Sequence, residues 1–191
     1  MAAGKLSQAL VVADGAARKF QGDGAIAKNG NLLMVPGLEA LIAALPFASA
    51  RNRATRVALP ANPLVESVGE SYSRAIFEFL GFEQPTLQHS FRDSDGMIGR
   101  SDFLWKAQGV VGEFDGKDKY INAARMSGIT PEEALYREKL REDRIRALGH
   151  DVKRWAWVDL QDPSRVKMKL LAAGLRPAGP SAPRLVRSSG P

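Results

Sequence analysis

The chain has 191 residues, of which 45% are hydrophobic and 25% charged, with a formal net charge of +6 and no cysteine. This is the composition of a soluble globular protein with one main domain and a smaller appendage, and no apolar run approaches the roughly 20 residues that span a bilayer. The lack of cysteine excludes disulfides and thiolate zinc sites and fits the cytoplasm, and the basic charge suggests a polyanionic partner such as DNA. We expect no membrane partner.

The first sixty residues predict a small helical segment. Short Ala/Leu/Val-rich pieces occupy residues 6–20, 38–45 and 48–59, and a Gly/Asn-rich stretch follows the first of them. This pattern indicates short helices joined by loops. We therefore divide the chain into a helical N-terminal segment at residues 1–60, a main domain at residues 61–175 and a disordered Pro/Gly/Ser-rich tail at residues 176–191.

The main domain begins with an amphipathic helix that follows Asn62 and ends at Gly81. Apolar alternation then predicts three strands, of which the first two form a hairpin. A helix capped by Thr130 and ended by Gly149 comes next, before another strand and a short last helix. The predicted strands are residues 86–92, 97–105, 110–115 and 151–158, and the last helix is residues 163–173. The order predicts an α/β fold whose mixed sheet is flanked by helices.

Three carboxylates are expected to converge on two neighbouring strands. If residues 106–109 form a tight connection, Asp102 faces Glu113 across the strand pair. The strand period of two places Asp115 and Lys117 on the same face as Glu113. Three acids this close repel one another unless a cation neutralises them, and hard oxygen ligands suit Mg2+ or Mn2+. Such a metal, with Lys117 assisting the attacking water, would hydrolyse a phosphodiester.

Each acid also has a purely structural interpretation. Asp115 followed by Gly116 can form a turn, and Asp102 can be the charge of an edge strand. Glu70, on the preceding helix, can add a fourth carboxylate to the catalytic set or complete a capping box with Ser67. The sequence leaves these alternatives open.

A basic helix face is the predicted nucleic-acid contact. Arg137, Arg141 and Arg144 follow at i, i+4 and i+7, which places them on one face suited to a phosphate backbone. Lys119, shortly before this helix, is a further predicted contact. The alternative is a solvated face on which neighbouring acids pair with the arginines.

Several short motifs resemble a known family. They are SVGES at residues 67–71, RSDFLW at 100–105, GEFDGK at 112–117, REKLREDRIRALG at 137–149 and RW at 154–155. Together they resemble a group of bacterial proteins whose domain is related to the very-short-patch-repair endonucleases of the PD-(D/E)XK superfamily. The resemblance covers roughly residues 60–160.

The resemblance implies a restriction-endonuclease-like core that binds Mg2+ or Mn2+ and cleaves DNA, in repair or phage defence. It makes Asp102 the strand-two aspartate and Glu113 the strand-three acid. The chain departs from the usual acid-x-Lys signature. If Glu113 is the acid, the signature requires lysine at position 115, where this chain has Asp115. The letters Asp115, Gly116 and Lys117 fit the signature in a shifted register, and both registers remain open.

Full-length members of this group also resemble AbiEi-type antitoxins, which carry a winged-helix DNA-binding domain ahead of such a region. Residues 8–14 resemble the connecting segment, and we expect no winged helix in this chain. Three functions follow from the sequence. The first is a metal-dependent DNA endonuclease, the second is an inactive nuclease-fold regulator that binds DNA or acts like an antitoxin, and the third is a structural domain whose acids only form ion pairs.

Overall fold

The computed structural model describes residues 3–24, 32–116 and 128–177. The helices are α1 (Ala3–Gly22), α2 (Leu38–Ala43), α3 (Ala48–Ala58), α4 (Val68–Leu80), α5 (Pro131–Ala147), α6 (Trp157–Leu160) and α7 (Pro163–Ala172), with a 3-10 turn at Leu32–Met34. The strands are β1 (Thr86–Asp93), β2 (Gly96–Trp105), β3 (Val110–Asp115) and β4 (Asp151–Ala156). Within the described ranges, no helix has both the length and the apolar composition that a membrane span requires.

The four strands form one mixed sheet in the order β1-β2-β3-β4. The pairs β1–β2 and β2–β3 are antiparallel, and β4 lies parallel to β3. A parallel neighbour requires a crossover connection, and α5 lies in this one between β3 and β4. The predicted α/β class with a mixed sheet flanked by helices is confirmed.

The helices cover the sheet on two sides because apolar residues alternate along the central strands. On one side, Phe77 of α4 makes edge-to-face contacts with Phe103, Trp105 and Trp155, with ring centroids 5.0 to 5.6 Å apart. On the other side, a smaller cluster joins Ile145 of α5 to the sheet residues Phe91, Leu104, Val111 and Val152. We call these sides the α4 face and the α5 face of the sheet.

The β2–β3 register follows from the tight connection between the two strands. Trp105 pairs with Val110, Leu104 with Val111 and Phe103 with Gly112, as the sequence predicts. A Cβ at Gly112 would overlap the indole of Trp155, so close packing on the α4 face requires glycine there.

The last predicted strand, residues 151–158, is shorter than expected. β4 ends at Ala156, and the four-residue helix α6 begins at Trp157. The Asp159 carboxylate accepts the Ala156 N–H at 2.9 Å and an ammonium hydrogen of Lys169 at the same distance, which favours the turn over further pairing. Trp157 therefore leaves the strand and contacts Phe114 edge-on.

A buried ion pair fixes α1 to α4. The Asp14 carboxylate, whose side chain is fully buried, accepts hydrogen bonds from Arg74 Nη1 at 2.8 Å, Ser71 Oγ at 2.7 Å and the Asn62 N–H at 2.9 Å. These three donors satisfy a charge that would otherwise be costly to bury. The N-terminal helix α1 thus has a fixed position on the core.

Candidate functional site on the α5 face

The three predicted acids lie at the ends of β2 and β3. Asp102 is two residues before Leu104, and Glu113 and Asp115 follow Val111 at the same spacing, so all three are on the α5 side of their strands. Glu113 is 2% exposed, whereas Asp102 and Asp115 are only partly buried. The sheet therefore carries a buried carboxylate flanked by two accessible ones.

Two arginines hold the Glu113 carboxylate. Arg141 of α5 donates from Nη2 to Oε1 at 2.5 Å, and Arg154 of β4 places Nη2 2.9 Å from Oε2. Arg154 Nη1 also donates to Asp115 Oδ1 at 3.3 Å. Guanidinium groups therefore neutralise the acids that the sequence predicts as metal ligands.

Two further acids on α5 complete the network. Glu138 accepts from Arg141 Nε at 2.8 Å and also pairs with Arg154, and Glu142 accepts from Arg154 Nε at 2.9 Å. Arg146 of α5 also pairs with Glu142, at 2.7 Å. We call the whole set the arginine–carboxylate cluster, and it consists of Glu113, Asp115, Glu138, Glu142, Arg141, Arg146 and Arg154. The sequence signal for Arg154 is its strand spacing, because it lies two residues after Val152 and so points to the α5 face.

Burial and ion pairing have opposite effects on the pKa of each acid in the cluster, and the net shift differs between Glu113 and Glu138. Burial raises the pKa of Glu113, and the opposing effect of Arg141 and Arg154 does not fully offset it. Burial also acts to raise the pKa of Glu138, but hydrogen bonds from the same two arginines outweigh it and leave that pKa lowered. Burial acts to lower the pKa of Arg154, but the nearby carboxylates raise it overall, so this guanidinium stays charged.

Asp102 connects β2 to β3 through its side chain. The β2–β3 pairing ends at Phe103 and Gly112, one pair short of the predicted Asp102–Glu113 pair. Instead, Asp102 Oδ2 accepts the backbone N–H of Phe114 at 2.8 Å. On the other side of β2, Gln88 lies opposite Asp102 and has a φ of 50°, an uncommon value for a residue other than glycine.

Glu70 has the contacts of a helix-capping residue. Its N–H donates to Ser67 Oγ at 3.2 Å, and its Oε2 accepts the Glu66 N–H at 2.9 Å and Gln88 Nε2 at 3.2 Å. Burial raises the pKa of Glu70, and the hydrogen bonds lower it by less. Gln88 is the β1 residue opposite Asp102, so this contact reaches the strand position beside Asp102. A fourth carboxylate at Glu70 stays a prediction.

The remaining arginines of the predicted basic face are also paired. Arg144 donates to both Asp93 oxygens, from Nη2 at 2.6 Å and from Nε at 2.8 Å, and these hydrogen bonds lower the pKa of Asp93. Arg137 forms an exposed pair with Glu133 at 2.6 Å. With Arg141 in the cluster, each of the three arginines has a carboxylate partner. Lys117, the predicted catalytic lysine, and Lys119, the further predicted nucleic-acid contact, lie outside the described residues.

A guanidinium group lies between two of the predicted metal ligands. The carboxylate oxygens have the right chemistry, and the buried Glu113 Oε2 accepts no hydrogen bond from any described residue. However, the described ranges contain no group of three or more His, Cys, Asp or Glu side chains placed to hold a metal ion. Arg154 lies where such an ion would have to approach Glu113 and Asp115.

A scan against protein-family models, a search of curated proteins and a search of solved structures each found no match to this chain. The resemblance to the PD-(D/E)XK superfamily therefore stays a prediction that rests on the quoted motifs.

Proposed function

We propose that this chain is a non-catalytic, DNA-binding regulator, antitoxin-like in type, built on a restriction-endonuclease-like core. The observation that carries the proposal is that both oxygens of Glu113 form ion pairs with guanidinium groups, Oε1 through a hydrogen bond from Arg141 and Oε2 at 2.9 Å from Arg154. Support for the core comes from the order helix, three strands, helix, strand, with α4 and α5 on opposite faces of the mixed sheet.

The energetics of the cluster favour arginine over metal. A cation entering between Glu113 and Asp115 would have to displace Arg154, which is only 22% exposed and also contacts Glu138 and Glu142. Breaking a buried ion pair on one side typically costs about 3–5 kcal/mol. Mg2+ must in addition lose part of a tightly held water shell. The carboxylates therefore already have the counter-charge that burial requires.

DNA is the proposed partner because phosphate neutralisation by Lys and Arg drives association with nucleic acid. The chain has 27 Lys and Arg against 21 Asp and Glu. Since the arginine–carboxylate cluster contains four acids and three arginines, the basic excess must lie elsewhere on the protein.

The test measures binding and cleavage in the same samples. A labelled DNA duplex is titrated with the protein in magnesium and in chelator, and supercoiled plasmid is incubated with the protein and Mn2+. We expect equal affinity in the two buffers and intact plasmid. Affinity that disappears in chelator, or metal-dependent cutting, would contradict the proposal.

A metal-dependent DNA endonuclease is the second candidate, and the charge of the cluster favours it. Four carboxylates share three guanidinium groups, and Asp102 lies at the adjoining strand end, so the region has negative charge that a divalent cation would offset. Asp102, Glu113 and Asp115 are the predicted ligands. If this function is correct, plasmid cutting should vanish in Asp102→Ala but persist in the control Glu133→Ala, whose acid lies on the exposed surface of α5.

A further inference from the structure

The basic residues of this protein differ in whether they have acidic partners. In the main domain, ion pairs hold the arginines at 100, 137, 141, 144, 146, 154 and 165. Residues 1–60 contain seven Lys and Arg but only three Asp and Glu, which leaves four of the six net positive charges there. One of those acids, Asp14, is already paired with Arg74 in the interior.

The helix α3 concentrates this unpaired charge on one face. Its sequence, ASARNRATRVA, contains no acid. Val57 and Ala58 pack toward α1, while the side away from them is exposed, with Arg53 at its edge because Arg53 also lines an apolar groove beside Val57 and Ala58. That exposed side, which we call the α3 face, consists of Asn52, Arg53, Thr55 and Arg56. Spacings of three and four residues make these side chains neighbours on the helix surface.

The two arginines of the α3 face have no structural role that the described residues reveal. Neither Arg53 nor Arg56 forms a hydrogen bond or ion pair within the described ranges, unlike Arg51, which donates to the Leu45 carbonyl at 2.7 Å. Like charges three residues apart on a helix repel each other and slightly destabilise it. Such a pair also raises the local positive potential, which attracts a polyanion.

We propose that the α3 face contacts the phosphate backbone of DNA, with Arg53 and Arg56 as the charged contacts and Asn52 and Thr55 as neutral donors. This inference rests on the DNA binding of the proposed function and places that binding on α3 rather than on α5. Guanidinium, amide and hydroxyl groups are the donors that proteins use on phosphate oxygens. The buried Asp14–Arg74 pair holds α1, on which α3 packs, in a fixed position on the core.

The experiment compares two double variants that remove the same charge. The first is Arg53→Gln with Arg56→Gln. The second, the matched control, is Arg100→Gln with Arg165→Gln, which removes two exposed arginines that are ion-paired. Binding of a labelled DNA duplex is measured by fluorescence anisotropy over a range of salt concentrations. Urea unfolding confirms that both variants stay folded, which we expect because all four side chains are exposed.

We expect the α3 variant to bind roughly tenfold more weakly at moderate salt, and the salt dependence of log K to fall by about two, since each phosphate contact contributes about 0.9 to that slope. The control should keep the wild-type slope. Equal losses in both variants would overturn the inference, because affinity would then follow net charge alone. Loss of binding to phosphatidylserine vesicles without loss of DNA binding would also overturn it, in favour of a lipid surface. A wild-type protein that binds no DNA would instead refute the proposed function.

Discussion

Replacing Arg154 by methionine tests whether a guanidinium is the resident cation of the arginine–carboxylate cluster. The substitution keeps an unbranched apolar stem but removes the charge that faces Glu113, Asp115, Glu138 and Glu142. Breaking a fully buried pair costs about 3–5 kcal/mol, and since Arg154 is 22% exposed we expect a smaller loss of about 2–4 kcal/mol at neutral pH. For a chain of this length, that loss lowers Tm by roughly 5–15 °C.

The pH dependence of the loss is the more specific signature. The pKa of Glu113 is already raised in the folded protein, and removing Arg154 would raise it further. The folded state then binds this proton more tightly than the unfolded chain does, so its contribution to stability increases as the pH falls through the raised pKa. The deficit of Arg154→Met relative to wild type should therefore be largest at neutral pH and shrink in mildly acidic buffer. Urea unfolding at both pH values measures the deficit.

The same variant reports on metal. Without Arg154, the four carboxylates keep only Arg141 and Arg146 as cations within the cluster, so Mn2+ should raise the Tm of Arg154→Met more than that of wild type. Arg137→Met is the control, since its exposed pair with Glu133 should contribute less than about 1 kcal/mol. An Arg154→Met protein as stable as wild type, or a wild type that Mn2+ stabilises equally, would refute the reasoning.

Two further predictions concern packing. Asp14→Ala should lower the free energy of unfolding in urea by about 3–5 kcal/mol, because it leaves the buried Arg74 without its carboxylate. Adding Arg74→Met should recover part of this loss. A double variant whose loss equals the sum of the single losses would contradict the coupling. Gly69→Ala should lower the free energy of unfolding by about 1–3 kcal/mol, because its Cβ would overlap the buried ring of Phe114. Gly15→Ala, in an open position of helix α1, should raise it by about 0.5–1 kcal/mol. Equal Tm values for the two variants would contradict this account.

Local signals predicted most of the fold. The helix α4 begins after Ser67, whose hydroxyl accepts the Glu70 N–H, and ends at Gly81, whose φ of 76° suits glycine. The register of β2 with β3 follows from a tight connection and the period of two. These features depend on residues within a few positions of one another, so the sequence contains the information directly.

The candidate site could be predicted only in part, because its ion pairs join distant residues. The strand period places Glu113 and Asp115 on the same face, but it says nothing about which cation faces them. Arg141 is 28 residues from Glu113, and Arg74 is 60 residues from Asp14. Each pairing depends on how a helix packs on the core, and charged residues have no local pattern that selects such partners. The sequence therefore predicts the acids of the site but not the arginines that pair with them.

The choice between the two candidate functions depends on which cation neutralises a desolvated Glu113. The burial of this carboxylate makes some counter-charge necessary, and both arginine and a divalent metal can provide it. Arg141 and Arg154 are already ordered by helix and strand, so their approach requires no association from solution. A metal must displace at least one of them and also lose bound water, and the displaced guanidinium needs a new partner. Phosphate groups of DNA are such a partner, so cleavage would require DNA to draw Arg154 away from Glu113 before the metal binds. This order of events predicts that metal alone, without DNA, leaves the wild-type protein unchanged.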